Sequence, residues 1–348
     1  MANRSRLDAL AKRLDAPLLV TNLTNVFYLT GFASSNAALL VEPGGGTTLY
    51  TDFRYAEAAR SVPGVELQMT KRSMLADIGS RLKGRVQFEA DGLAYSDWER
   101  LGAGEAELVP SSGIVEGLRA VKEDEELAQI RKAARIADRG FEALTAETFV
   151  GHTEREIAWR LRELLHAHGA DDVAFDTIVA SGPNGALPHH RPDDRIVDRA
   201  TLVTIDWGVR VDGYCSDCTR TVSTGRLPDT LRRAYEVCLA AQERAVAGLK
   251  AGLTGVDADA LAREPIEAAG YGGNFGHGLG HGVGLQVHEA PRLSTESTDT
   301  LETGQVVTIE PGIYLEGVGG CRIEDLAVVR EDGIEVLTSF PKHLIEVG

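Results

Sequence analysis

From about residue 119 onward the apolar positions run first at helical spacing and then at alternating spacing, and they do so twice. Leu127, Ile130, Ala134, Ala137, Phe141 and Leu144 recur every three or four residues, which predicts an amphipathic helix. The acids Glu123 to Glu126 crowd its front, where the helix dipole favours negative charge. Thr153-Glu154-Arg155-Glu156 reads as a capping box opening a second helix, with Ile157, Leu161, Leu164 and Leu165 as its apolar face and Gly169 as its stop. Further on, Pro228-Asp229 opens a helix through Leu231, Tyr235, Cys238, Leu239 and Val246. Another runs from Asp257 to Ala269, kinked at Pro265. Each pair gives way to strands, so 127–225 and 228–335 read as two related α-then-β halves.

Residues 1–118 read as a separate α/β domain. Pro17–Thr21 is a short apolar strand, Val86–Ala90 is another strand, and Arg54–Arg60 looks helical. Ala37–Val41 and Thr47–Thr51 flank Glu42-Pro43-Gly44-Gly45-Gly46, a hairpin signal. Asn25–Phe32 is aromatic and β-branched, a strand pattern that could also begin as a helical turn. No cluster of metal-type ligands occurs in this segment. The boundary is expected near 118/119, leaving 119–348 as a second domain; 348 residues suit two.

The strand pairs of the second domain carry the chemistry. Leu202–Arg210 alternates, turns at Val211-Asp212-Gly213 and returns through Tyr214–Val222. With Val211 and Asp212 at the centre of the turn, Asp206 lies directly opposite Asp217 on one face. Val306–Tyr314 returns through Cys321–Val329, and a turn centred on Gly317 sets Glu310 opposite Glu324. Facing like charges destabilise a sheet unless something positive lies between them, and a divalent cation fits. Between these hairpins, Phe275–Glu289 holds His277, His281 and His288, three of the nine histidines, among the glycines 276, 278, 280, 282 and 284. It reads as a tight, irregular loop presenting imidazoles, followed by a short strand at Leu285–His288.

Composition narrows the partners. A formal net charge of −16 argues against nucleic acid, whose readers are usually basic. No apolar run reaches the length of a membrane span, and the N-terminus lacks a signal peptide's apolar core, so a cytoplasmic home is expected. Four cysteines make no disulfide scaffold. Cys215 and Cys218 match Cys-x-x-Cys, but a strand points them to opposite faces, which opposes a redox or zinc motif.

These motifs together resemble a known family. Ser181–His190, the Asp206/Asp217 hairpin, the His281 loop, Thr308-Ile309-Glu310-Pro311-Gly312 and Arg322-Ile323-Glu324-Asp325 look like the pita-bread metallopeptidases, specifically the Xaa-Pro branch of prolidase and aminopeptidase P. Asn22–Asn25 and Thr51–Tyr55 resemble that branch's creatinase-like N-terminal domain. The resemblance implies an α/β (α+β) chain with a pseudo-twofold pita-bread catalytic domain. It implies metal ligands Asp206, Asp217, His281, Glu310 and Glu324, with Asp217 and Glu324 shared by two divalent ions. Oxygen-rich shells with one imidazole suit Mn²⁺, while Co²⁺, Fe²⁺ or Zn²⁺ could also occupy them. His189, His288 and Glu310 are implied as catalytic, and His277 and Arg322 as supports. The implied substrate is a proline-containing di- or oligopeptide, and relatives are commonly homodimers. Arg292 resembles an arginine of short prolidases that would hold the proline carboxylate, which favours a dipeptidase over an aminopeptidase. The complete ligand set opposes a non-catalytic binding module or metal-free creatine-type chemistry on the same fold. A methionine aminopeptidase normally lacks an N-terminal domain of this size.

Overall fold

The computed structural model describes residues 2–348 and divides into two compact units, Met1–Arg119 and Ala120–Gly348. The first is built on a six-stranded mixed sheet, in the order 66–69, 47–51, 37–41, 18–20, 85–89, 107–111. The 37–41 and 47–51 strands form the expected hairpin, pairing Ala37 with Thr51 and Val41 with Thr47. The aromatic stretch after Asn22 is not a strand. It is the helix Leu23–Thr30, because the Asn22 side chain accepts from Thr24 N at 2.9 Å and Gly31, at φ 71°, closes the other end. Caps at both ends outweigh a mild β preference.

The second unit repeats a helix pair followed by strands. Asp124–Thr145 and Glu154–Ala167 form the first pair, and Asp229–Gly248 and Gly255–Ala268 the second. Both halves of the Thr153/Glu156 capping box are present. Thr254 caps the fourth helix, three residues ahead of the expected start, and Pro265 sits inside it. Each pair packs on its own strands. In the first half Phe141 stacks on Trp207 at 3.9 Å, with Ile157, Leu161 and Leu165 against Val203 and Ile205. In the second, Leu231, Tyr235 and Cys238 pack on Ile309, Ile313 and Ile323. Burying such side chains contributes roughly 1.5–3 kcal/mol each.

The two hairpins differ from expectation in one respect. Asp206 pairs with Thr219, not Asp217, and Val211 pairs with Tyr214. The turn is therefore Asp212-Gly213, both at positive φ (51° and 88°), a conformation a β-branched Val211 would resist. The error is two residues, so the face is preserved. Asp217 falls in the interruption between the paired Cys215 and Cys218. The second hairpin keeps the expected register, Ile309 opposite Asp325 and Gly312 opposite Arg322, which brackets Glu310 and Glu324. The hairpins meet along their returning strands, where Glu324 N donates to Thr219 O at 3.0 Å.

The histidine segment is also more regular than expected at one end and less so at the other. Gly280–Gly282 is a strand, placing His281 in a five-stranded sheet. Leu285–His288 is a bend, and the next strand is Glu289–Leu293. A bulge between His281 and Gly282 takes up the slack.

Candidate metal centre

Asp206, Asp217 and Glu324 each place a carboxylate oxygen within 4.8 Å of the others. His281 Nε2 lies 3.7 Å from Asp217 and 3.3 Å from Glu310. All five side chains that the family resemblance assigns to metal thus converge, from five segments that are strands or the breaks between them. Three of the four carboxylates are uncomfortable there. Burial first, then the charge of Glu324, Asp206 and Glu310, pushes Asp217 well above the usual carboxylate range. Glu324 is raised well above it by burial and by Glu310 and Asp206. Asp206 is raised too, by burial, although Arg322 opposes the shift. Glu310 behaves oppositely: burial pushes it up, but the hydrogen bond and charge of His281 outweigh that and bring it to about 2.

The donor set fits divalent cations. Asp206 Oδ2 accepts from Arg322 at 2.7 Å, while its buried Oδ1 has no hydrogen-bond partner. A buried orphan acceptor facing two more acids calls for a positive group. His281 Nδ1 lies 3.0 Å from Gly282 O, which fixes that nitrogen as a donor and leaves Nε2 facing Glu310 and Asp217, free to ligate once its proton is lost. Metal-bound imidazoles are commonly anchored through the other nitrogen in this way.

Hydroxyls and an arginine steady the acids. Thr219 Oγ1 donates to Glu324 at 2.7 Å and accepts from Arg322 Nε at 3.0 Å. Thr308 Oγ1 donates to Glu310 at 2.9 Å and accepts from His281 N at 3.0 Å. Arg322 also reaches the Tyr314 hydroxyl and Pro188 O. His277, whose pKa burial lowers, is 2.8 Å from both Gly278 O and the Tyr314 hydroxyl. As a neutral ring it donates to the carbonyl and accepts from the phenol.

The remaining candidates border this cluster. The His288 ring lies 4.3 Å from that of His281, and burial followed by the charge of His281 lowers its pKa. His189 is exposed and follows Pro188, whose carbonyl accepts from Arg322. Arg292 is the strand partner of His281, so the two share a face. It is exposed, and its guanidinium has no ion pair among the described residues. Cys215 and Cys218 are buried in different sheets, against Leu285 O and Glu324 O, and form no metal pair.

Residues 128–331 match metallopeptidase family M24, and residues 4–121 match the creatinase/prolidase N-terminal domain. The chain belongs to metallopeptidase family M24. It is 37% identical to an Xaa-Pro dipeptidase of Pyrococcus furiosus, over 98% of this chain and 100% of that protein. Among solved structures it resembles an Xaa-Pro dipeptidase from Bacillus anthracis at 39% identity and TM-score 0.94, covering 99% of this chain and 98% of the other. An X-Pro aminopeptidase from Thermotoga maritima is also similar, at 36% identity and TM-score 0.86 over 95% and 97%.

Sequence reasoning about this M24 site missed Thr219, Thr308 and Tyr314. A signal was available for Thr308, which precedes Glu310 by two residues in an alternating pattern and so shares its face; Thr219 carried none, since it serves Glu324 of the other hairpin. Tyr314 carried no such signal, since its role depends on Arg322 arriving from the opposite strand.

Proposed function

We propose that this M24 metallopeptidase is an Xaa-Pro dipeptidase working with two divalent ions held by Asp206, Asp217, His281, Glu310 and Glu324. The observation that carries the reading is the buried convergence of four carboxylates and one imidazole, with an orphaned Asp206 oxygen among them. When bound, two such ions activate water and stabilise charge on the attacked carbonyl. Mn²⁺ suits this oxygen-rich set best, with Co²⁺, Fe²⁺ and Zn²⁺ compatible.

The protein's own groups divide the remaining work. Glu310 accepts the proton of the attacking water. His288, kept neutral by burial, donates to the developing oxyanion. His189 holds the carbonyl or carboxylate on the proline side. The scissile bond is a tertiary amide, so its nitrogen leaves only after gaining a proton, which a histidine of the site supplies. Arg322 and His277 keep Asp206 and Tyr314 in place.

Arg292 favours a dipeptide. A free guanidinium on the face of His281 can take a terminal proline carboxylate bidentately but gains little from an internal amide. The second reading, an Xaa-Pro aminopeptidase, draws on the Thermotoga neighbour. A cytoplasmic homodimer belongs to the same proposal; among the described residues no helix is long and apolar enough to cross a membrane. The test is hydrolysis of an Xaa-Pro dipeptide beside an Xaa-Pro-Yaa tripeptide, with metal content measured. Faster dipeptide turnover with about two ions per chain is expected. A better tripeptide substrate would replace dipeptidase by aminopeptidase, and activity in demonstrably metal-free protein would end both readings.

A further inference from the structure

His189 stands on an exposed loop, yet its proposed task demands a fixed position. Two anchors bracket it. On one side Arg322 Nη1 donates to Pro188 O at 3.2 Å. On the other, His190 turns inward and its Nε2 lies 2.7 Å from Glu154 Oε2.

Glu154 is the first residue of the helix Glu154–Ala167 and is fully buried. Its Oε1 accepts from Ser181 N and Ser181 Oγ, both at 2.7 Å, and from Asn184 Nδ2 at 3.2 Å. Its Oε2 accepts from Asn184 at 3.1 Å, from His190, and more weakly from Asp193 N at 3.5 Å. The helix N-terminus adds favourable potential. Glu154, His190 and Asp193 lie close enough to suggest a second cation site. Glu154, however, has its acceptor capacity filled by protein donors, so the cluster has no open carboxylate to offer. What the contacts do is tie residues 181, 184 and 190 to one buried point.

We propose that Glu154 is a positioning residue for substrate: by gathering Ser181, Asn184 and His190 it fixes the loop that presents His189 to the proline side of the site. The inference rests on the role given to His189 above. A buried carboxylate serving four loop residues is poorly replaced by an amide, whose NH₂ would face either the Ser181 donors or the His190 donor. The loop would then loosen while the metal ligands, on other segments, stay in place.

The test uses the full-length, metal-loaded protein and four variants: Glu154→Gln, Glu154→Asp, His189→Ala, and the double variant carrying Glu154→Gln together with His189→Ala. The readouts are KM and kcat for an Xaa-Pro dipeptide, the inhibition constant of L-proline, and ions bound per chain. Glu154→Gln should raise KM and the L-proline constant by roughly tenfold, the scale of one lost charged contact. It should lower kcat far less and retain both ions, and Glu154→Asp should recover part of the loss. Combined with His189→Ala, it should add little, because both changes remove the same interaction. If Glu154→Gln folds poorly, His190→Gln cuts the same tether from the loop side and carries the same expectations. An unimpaired His189→Ala would refute the role of His189 and the proposal with it. An impaired His189→Ala whose effect multiplies with that of Glu154→Gln or His190→Gln, or loss of an ion in either variant, would overturn the proposal alone.

Discussion

At one end of the metal centre, Glu310 lies 3.3 Å from the His281 imidazole, accepts a hydrogen bond from Thr308 and has Arg322 within 4.0 Å. At the other end, Asp217 and Glu324 face each other and Asp206, with a single threonine hydroxyl on Glu324. The first corner supplies its own positive charge and its carboxylate falls to about 2; in the second, both carboxylates rise. Burial raises the carboxylates of both corners, so counter-charge decides the sign. The contrast indicates where an arriving cation gains most. The Glu310 corner is already organised before metal binds, whereas the Asp217–Glu324 corner is completed by it.

Removing Asp217 should have the largest effect and the most informative one. Asp217→Asn should abolish hydrolysis and cost the protein at least one ion, read by turnover and by metal analysis. The same change should raise the melting temperature of the metal-free protein, since it deletes a repelled charge. Glu310→Gln should lower that temperature, since it removes the carboxylate nearest the His281 imidazole, 3.3 Å away. Equal shifts of one sign would erase the distinction between the corners.

The next effect belongs to His288. His288→Ala should lower kcat by roughly 10²–10³, as for loss of one transition-state donor, with both ions retained. Its ring sits beside His281 but outside the carboxylate cluster. An ion lost in this variant would make His288 a ligand. Smaller still is Arg292→Ala, expected to raise KM for Xaa-Pro roughly tenfold and to change Xaa-Pro-Yaa cleavage little. Equal effects on the two substrates would remove the argument for a dipeptidase.

The two hairpins also show what a sequence reveals. The Glu310/Glu324 register was legible because Gly317 marks the turn, at φ 71°, and symmetrical pairing about it is correct. The Asp206/Asp217 register was not, because alternation alone allows a turn on Val211-Asp212 as well as on Asp212-Gly213, the pair that tolerates positive φ at both positions. The even-numbered slip left the acids on the right face, so the site survived the mistake. The helix caps at Thr153 and Glu156 could be read directly, because their partners lie within one turn. The hold of Glu154 on His190 could not, since it links a helix start to a loop 36 residues away. The strand at His281 was hidden by glycines, which permit a loop but do not require one.

The smallest expected effect is a pH dependence that should reverse with metal. In the metal-free protein the pKa values of Asp217 and Glu324 are raised, first by burial and then by neighbouring carboxylates. A raised carboxylate pKa means the folded state holds the proton more tightly than the unfolded one. Stability from these two groups is therefore fully present below their ordinary range, near pH 4, and is lost as pH rises through the folded values. Acidifying from neutrality toward pH 5 should raise the melting temperature of chelated protein. With ions bound, the same carboxylates must be ionised to act as ligands, so protons compete with metal and the loaded protein should melt lower on acidification. Glu310 contributes little to either trend above pH 5, because its pKa is already about 2. Paired melting curves of chelated and Mn²⁺-loaded protein between pH 7 and pH 5 decide the matter. Parallel shifts in the two forms would mean that Asp217 and Glu324 are not the groups the metal discharges.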